Sequence, residues 1–308
     1  MEAVYPGKNA GRQRLDCFLA DSLLPLAFRE GDPMNKIIEK ELLSENVVKL
    51  VVEAPQVSRK QRPGQFVIVR TDEKGERIPL TIADADPERG TITLIIQKVG
   101  TSSHKITRLN PGDSLTDVSG PLGRPTHVEK LGTVLACGGG VGIAPLYPIA
   151  RAFKQAGNRL IAVLGARNRE LLILEKEMAA FADETIVMTD DGSHGEKGLI
   201  TAGIEAVLKR EAVHLAVAIG PAVMMKFVSL LTKRYDVPTI ASLNTIMVDG
   251  TGMCGACRVS VGGKTRFVCV DGPEFDAHQI DFDEMIKRLN TYKAEEKVSF
   301  DGYMNSLS

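Results

Sequence analysis

The chain has 308 residues, a formal net charge of −1, 44% hydrophobic residues and 25% charged ones. A near-neutral balance with no basic block excludes a nucleic-acid partner on electrostatic grounds, and the lack of any run of 18 apolar residues excludes insertion of a helix across a membrane. Five cysteines, an odd number with three of them clustered, argue against a secreted disulfide framework and for a reducing, cytoplasmic setting.

In chain order, residues 1–33 stand apart from the rest. "CFLADSLLPLAF" is apolar but broken by Asp21 and Pro25, and no small-residue cleavage site precedes Met34. A disordered extension, or a start of translation at Met34, is expected ahead of a secretory signal. Cys17 lies in this stretch and receives no role.

Residues 34–129 read as β structure. "NVVKLVVEA" alternates Val48, Leu50 and Val52, and "QFVIVR", "RIPLTIA" and "TITLIIQKV" are further short strand patterns. Turn signals at Pro63-Gly64, Lys74-Gly75, Arg89-Gly90 and Pro111-Gly112 separate them, which predicts a small β-barrel. Inside this region "VGTSSHKITRL" places a turn at Gly100, with Thr101, Ser102 and Ser103 as helix caps and phosphate partners; a plain capped helix is the competing reading.

Residues 130–236 alternate strand and helix. "TVLAC", "LIAVLG", "TIVMTD" and "LAVAIG" are apolar strand runs, and the helix over "IAPLYPIARAFKQAG" puts Ile143, Leu146, Ile149 and Phe153 on one face with Gly157 as its stop. "TAGIEAVLKR" is a second helix with Thr201 as its cap, and "AVMMKFVSLLTKRY" a third. This predicts an α/β nucleotide-binding domain built on a parallel sheet. "LACGGGVGIAPL" runs from strand through glycine turn into helix. Gly138, Gly139, Gly140, Val141 and Gly142 let backbone approach a ligand, and the helix entered at Ala144 and Pro145 offers N–H groups to a pyrophosphate. Loops at the other strand ends carry Gly165 and Arg167, Asp190 and Asp191, and Gly220, Pro221 and Met224. The aspartates suit ribose hydroxyls and the arginine a 2′-phosphate, so NAD and NADP both stay open.

Residues 237–308 are glycine-rich, end in a helix over "FDEMIKRL" and trail into a polar tail expected to fray. They carry Cys254-x2-Cys257-x11-Cys269 within "IMVDGTGMCGACRV" and "FVCVDGPEF". This is metal-site or cluster spacing with the fourth ligand undetermined; zinc and free thiols are the alternatives. Cys137 ends an apolar strand and reads as a small buried hydrophobe. The five histidines are scattered, and no Ser/His/Asp or paired-carboxylate constellation stands out.

"RIPLTI", "GTSS", "SGPLG" and "GGGVGIAP", in that order, resemble the ferredoxin–NADP reductase superfamily. With the cysteine segment at the end, the chain is similar to the electron-transfer subunits of dihydroorotate dehydrogenase, which carry FAD and a [2Fe–2S] cluster on C-x4-C-x2-C…C. Laid on this chain, that pattern puts the last three ligands on Cys254, Cys257 and Cys269 and the first on Asp249. Aspartate in that place resembles the small-subunit family of NADH-dependent reduced-ferredoxin:NADP oxidoreductases. The resemblance covers roughly residues 34–282 and implies a β-barrel FAD domain, an α/β NAD(P) domain and a small C-terminal [2Fe–2S] subdomain. It implies FAD on Arg77, Pro79, Leu80, Thr81 and Gly100–Ser103, NAD(H) as substrate on the glycine turn and strand-end loops, and electron transfer to a partner. That partner is a larger FAD/[4Fe–4S] subunit, in a heterodimer that reaches ferredoxin and NADP(H) by electron bifurcation. The flavin motif departs from the superfamily's Arg-x-Tyr-Ser/Thr: Leu80 stands where the tyrosine belongs, and Arg77 is one residue further from Thr81. A dihydroorotate dehydrogenase subunit and a non-catalytic cluster-bearing assembly subunit are the rival readings.

Overall fold

The structure, a computed structural model, describes residues 35–307. Cys17 and the extension expected to be disordered lie outside the described residues. Strands β1 (Ile37–Ser44), β2 (Val47–Glu53), β3 (Phe66–Arg70), β4 (Ile78–Asp86), β5 (Thr91–Gln97) and β6 (Asp117–Leu122) form one antiparallel sheet in the order β1-β2-β5-β4-β3-β6. Helix α1 (Pro55–Ser58) follows β2, and α2 (Thr101–Arg108) follows β5. The sheet curls until its ends meet: Ile37 N donates to Asp113 O at 2.8 Å and Leu115 N to Asn35 O at 3.1 Å. Pairing the two ends removes most of the exposed edge that an open sheet would leave. Val48, Leu50, Val52, Ile92, Leu94 and Ile96 fill the interior. The opposite faces of the same strands are also apolar, because Val47, Ala83 and Ile95 pack against the neighbouring α/β layer.

That layer contains β7 (Thr133–Gly139), β8 (Arg159–Ala166), β9 (Glu184–Thr189), β10 (Glu196–Lys197), β11 (Leu215–Ile219) and β12 (Thr239–Ser242), all parallel, in the order β10-β9-β8-β7-β11-β12. Connecting them are α3 (Ile143–Gln155), α4 (Glu175–Ala179), α5 (Ile200–Arg210) and α6 (Ala222–Arg234). The predicted inner face of α3 is buried as expected, and Gly157 at φ 85° stops the helix. Helix α5 begins at Ile200 after Leu199, with no side-chain cap, so the expected cap at Thr201 does not form. The start is fixed by burial instead: Gly165 leaves the space that Ile200 fills, since a Cβ there would lie 2.9 Å from the Ile200 Cβ. β7 sits between β8 and β11, where the order of connection reverses. In open α/β sheets this is where a crevice for ligand forms beyond the strand ends.

The remaining residues form the hairpin β13 (Arg258–Val261) and β14 (Lys264–Phe267), helix α7 (Val268–Asp271), strand β15 (Glu274–Asp276) and helices α8 (Phe282–Leu289) and α9 (Lys293–Asn305). Gly262 and Gly263, at φ 56° and 71°, turn the hairpin. β15 adds antiparallel to β12 and becomes the seventh strand of the nucleotide sheet. The tail expected to fray is α9, because Ser299 and Phe300 find partners on α2. The described residues form one compact unit. Among the described residues no helix is long and apolar enough to cross a membrane.

Candidate functional site

One cleft of about 2690 Å³ runs between barrel, sheet and C-terminal segment. Its barrel wall holds Arg77, Pro79, Leu80, Thr81 and Gly100–Ser103; its sheet wall holds Gly139–Gly142, Ala144, Pro145, Gly165, Arg167, Asp190, Gly220, Pro221 and Met224. The structure thus brings together nearly all the residues singled out from the sequence for nucleotides. Gly138 and Asp191 are not on the wall. Gly138 is buried in β7, where a Cβ would meet Leu146 and Ile143 at 2.8 and 3.0 Å, so its small size serves helix–strand packing. The Asp191 carboxylate turns into its own loop, accepting from Ser193 N at 2.9 Å.

The glycine turn follows from contact distance. A Cβ on Gly142 would sit 2.5 Å from Ile219 O and 2.6 Å from Gly220 Cα, and neither backbone atom can yield. The turn feeds α3, whose first N–H groups have no partner within the helix and favour an anion. Arg167 and Asp190 lie at the ends of β8 and β9 with no ion-pair or side-chain hydrogen-bond partner among the described residues, so both are free to meet a ligand.

On the barrel side, α2 starts differently from the expectation. Gly100, extended at φ −157°, is the N-cap, and Thr101–Ser103 occupy the first turn. The Ser103 hydroxyl closes that turn, accepting from Val99 N at 2.9 Å and Gly100 N at 3.0 Å and donating to Gly100 O. Ser102 Oγ donates to Glu76 Oε2 at 2.6 Å. Arg77, exposed on the cleft wall, has no ion-pair partner among the described residues.

A stretch that sequence reasoning missed, residues 242–248, joins β12 to the cysteine loop and lines the cleft throughout. Thr245 Oγ1 is buried there without a hydrogen-bond partner. A buried orphan hydroxyl costs about 1–3 kcal/mol, so this wall fits a polar cofactor that supplies the missing bond. Threonine in "SLNTIM" carries no motif; the only available signal was that a chain leaving β12 must pass the strand ends.

The four proposed cluster donors fall into two pairs. Cys257 and Cys269, both buried, have their sulfurs 3.2 Å apart, and the exposed Cys254 has its sulfur 3.4 Å from Asp249 Oδ1. Sulfurs 3.2 Å apart are thiols, not a disulfide. Among the described residues no three such side chains surround a single ion position. Two pairs suit a two-iron cluster better than one tetrahedral zinc. Asp249 Oδ2 accepts from Cys254 N at 3.0 Å and Met253 N at 3.2 Å, and Oδ1 from Thr251 N at 3.0 Å. The Thr251 N–H first, then the Cys254 thiol and N–H, hold its carboxyl down to about 2 against partial desolvation. The side of Oδ1 facing Cys254 is what remains for a metal. Burial first, then Cys257, pushes the Cys269 thiol up to about 12, so only a metal would make it a thiolate at neutral pH. Gly250, at φ 77°, lets this loop lie directly on the barrel: a Cβ would be 2.8 Å from Ile68 and 2.9 Å from Leu122. Two guanidinium groups brace the loop from outside, Arg258 on Gly255 O and Arg288 of α8 on Ala256 O, each at 3.1 Å. Burial also raises the Cys137 thiol, which agrees with an inert core residue.

Three family profiles match in this order: "Oxidoreductase FAD-binding domain" over residues 34–127, "Oxidoreductase NAD-binding domain" over 137–230, and "Iron-sulfur cluster binding domain of dihydroorotate dehydrogenase B" over 244–281. A Thermotoga maritima protein described as a dihydroorotate dehydrogenase B (NAD(+)) electron transfer subunit homolog is 46% identical across 90% of this chain and 98% of its own. The dihydroorotate dehydrogenase B (NAD(+)) electron transfer subunit of Bacillus caldolyticus is 34% identical over 79% of this chain and 96% of its own. A solved NADH-dependent reduced ferredoxin-NADP oxidoreductase, reported for flavin-based electron bifurcation, superposes with a TM-score of 0.85 at 46% identity, covering 90% of this chain and 100% of that one. The cytochrome b5 reductase domain of Ulva prolifera nitrate reductase shares the fold alone, at TM-score 0.54 and 19% identity over 66% of this chain and 92% of that one. The chain belongs to the family of dihydroorotate dehydrogenase B electron transfer subunits and their homologues, oxidoreductase subunits that bind FAD, NAD and an iron–sulfur cluster.

Proposed function

We propose that this chain is the small subunit of an electron-bifurcating NADH-dependent ferredoxin:NADP oxidoreductase, with Asp249, Cys254, Cys257 and Cys269 as ligands of a [2Fe–2S] cluster. The observation that carries it is the single cleft walled by both nucleotide-binding elements, whose floor, residues 242–248, continues directly into the cluster loop. We divide the chain into residues 34–129 for FAD, 130–236 for NAD(H) and 237–308 for the cluster. Bound FAD supplies two-electron exchange with a nicotinamide and one-electron exchange with a cluster.

The residues orient and insulate. The α2 N-terminus and Arg77 meet the flavin's diphosphate, with Pro79, Leu80 and Thr81 beside it. The Gly139–Gly142 turn and the α3 N-terminus meet the nicotinamide nucleotide's diphosphate, and the free Asp190 carboxylate accepts from its ribose. Thr245 donates to the cofactor edge at the cleft floor. Asp249 adds a hard anionic ligand that stays ionised down to about pH 2, and its oxygen alters the cluster's potential relative to four thiolates. The relatives are subunits, so the chain hands electrons on within a heteromeric complex. We assign the acceptor to a larger FAD/[4Fe–4S] subunit that serves ferredoxin and NADP(H), in the cytoplasm.

The second reading, electron transfer to dihydroorotate dehydrogenase, rests on the 34% identity to subunits of that enzyme. The higher identity of 46% to the ferredoxin-NADP oxidoreductase chain favours the first. Anaerobic purification from native cells tests both. About two irons and two sulfides per chain, one FAD, reduction by NADH and copurification of a ferredoxin-dependent flavoprotein are expected. Copurification of a dihydroorotate-oxidising subunit selects the second reading. Zinc without sulfide, or a chain free of flavin, defeats both.

A further inference from the structure

Helix α9 lies beyond all three family profiles, which end at residue 281. It has no buried residue of its own, yet it is not loose on the surface. Ser299 Oγ lies 3.2 Å from Thr101 Oγ1 in the first turn of α2, and the Phe300 ring packs on His104 one turn further along, with centroids 4.8 Å apart. Lys293, Glu296, Lys297 and Phe300 are spaced i, i+3, i+4 and i+7, so they share one helical face, and all four line the cleft. A helix this weakly buried is marginal without another surface to cover.

We propose that α9 is the outer wall of the flavin site, with Phe300 as the residue that holds it over the α2 N-terminus and retains the cofactor. The inference rests on the assignment of FAD to α2 made above. The face carries two lysines and two glutamates if Glu295 beside it is included, so its contribution is exclusion of water rather than net charge. Phe300 serves that purpose because an aromatic ring buries a large area with few rotors to freeze. Desolvation of His104, ahead of repulsion from Lys98 and Arg108, lowers its pKa, which disfavours a charge on the ring facing Phe300. Phe300 lines the cleft, and His104 backs it from α2.

The test uses the full-length chain as isolated with FAD and iron. FAD release after dilution is followed by recovery of flavin fluorescence in the unchanged chain, Phe300→Ala and Phe300→Tyr, with iron content as the folding control. Phe300→Ala is expected to speed release about tenfold or more at unchanged iron content, and Phe300→Tyr to restore retention. Hydrogen exchange of residues 293–305 in the unchanged chain, before and after FAD removal, is expected to accelerate when FAD leaves, and this needs no variant to fold. Equal release from Phe300→Ala, or equal exchange with and without FAD, overturns the proposal. So does an effect confined to NADH affinity, which would give the wall to the nicotinamide nucleotide. An unchanged chain that carries no FAD defeats the proposed function itself and is read separately.

Discussion

At the glycine turn after β7, side chains are absent and main-chain N–H groups are left open toward the cleft; in the loop around Asp249 and the cysteines, side chains are the proposed ligands and main-chain N–H groups turn inward to hold one of them. The turn is rigid because backbone sits on backbone, Gly142 against Ile219 and Gly220. The loop is held by hydrogen bonds to the Asp249 carboxylate and by two arginines on its carbonyls. The two regions share a wall at 244–248 but not a mechanism of binding, so damage to one should leave the other's cofactor in place.

The largest expected effect comes from Cys269→Ser, which removes one of the two buried thiols of the proposed cluster set. The cluster should be lost completely, measured as iron and sulfide, while FAD content and NADH-driven flavin bleaching persist. Loss of flavin in the same variant would break the comparison. Next is the half-buried Glu274 of β15, which ties the C-terminal segment to the end of the barrel by accepting from Thr126 Oγ1 at 2.5 Å. Burial pushes its carboxyl up to about 7 from the ordinary 4.5, against the lowering effect of Thr126. The folded chain therefore binds this proton more tightly than the unfolded chain. The stabilisation is complete below about pH 4.5 and is lost as pH rises through about 7, roughly 3 kcal/mol in all. Glu274→Gln should flatten urea-denaturation midpoints across that window, and a slope identical to that of the unchanged chain would remove this carboxyl as its cause.

Gly142→Ala should weaken NADH binding about a hundredfold, roughly 2.7 kcal/mol, with iron content unchanged, as read by calorimetry. Asp190→Ser should cost NADH about tenfold, the scale of one hydrogen bond to ribose, and narrow any preference over NADPH. Smallest in loading but informative in kind is Asp249→Cys. It should keep the iron yet shift the low-temperature EPR spectrum of the reduced cluster; an unchanged spectrum would mean that another group completes the ligand set.

The elements with strong local signals were legible in the sequence. Val48, Leu50 and Val52 alternate because the barrel interior takes every second residue, and Ile143 to Phe153 repeat because α3 has one buried side. The glycine turn and cysteine spacing announced the site because their chemistry tolerates few other residue types. What could not be read locally depended on distant partners. Helix α5 starts where Gly165, some thirty-five residues earlier, leaves room for Ile200. The Thr101–Ser103 hydroxyls looked like caps, but Gly100 takes that role and Ser103 closes the turn behind it. The tail "KAEEKVSF" has no apolar stripe, and its helical state depends on α2. Thr245 matters only because β12 delivers it to the cleft.

Strand β15 gives the cluster segment a second office. It covers the outer edge of β12, which would otherwise expose a row of unpaired N–H and C=O groups next to the apolar Ile240 and Ala241. Bare edges of that kind recruit other chains. A version of this protein cut after β12, made to study the flavin and nucleotide regions alone, would carry a sticky sheet edge and precipitate, so the segment that houses the cluster also keeps the molecule from aggregating with its copies.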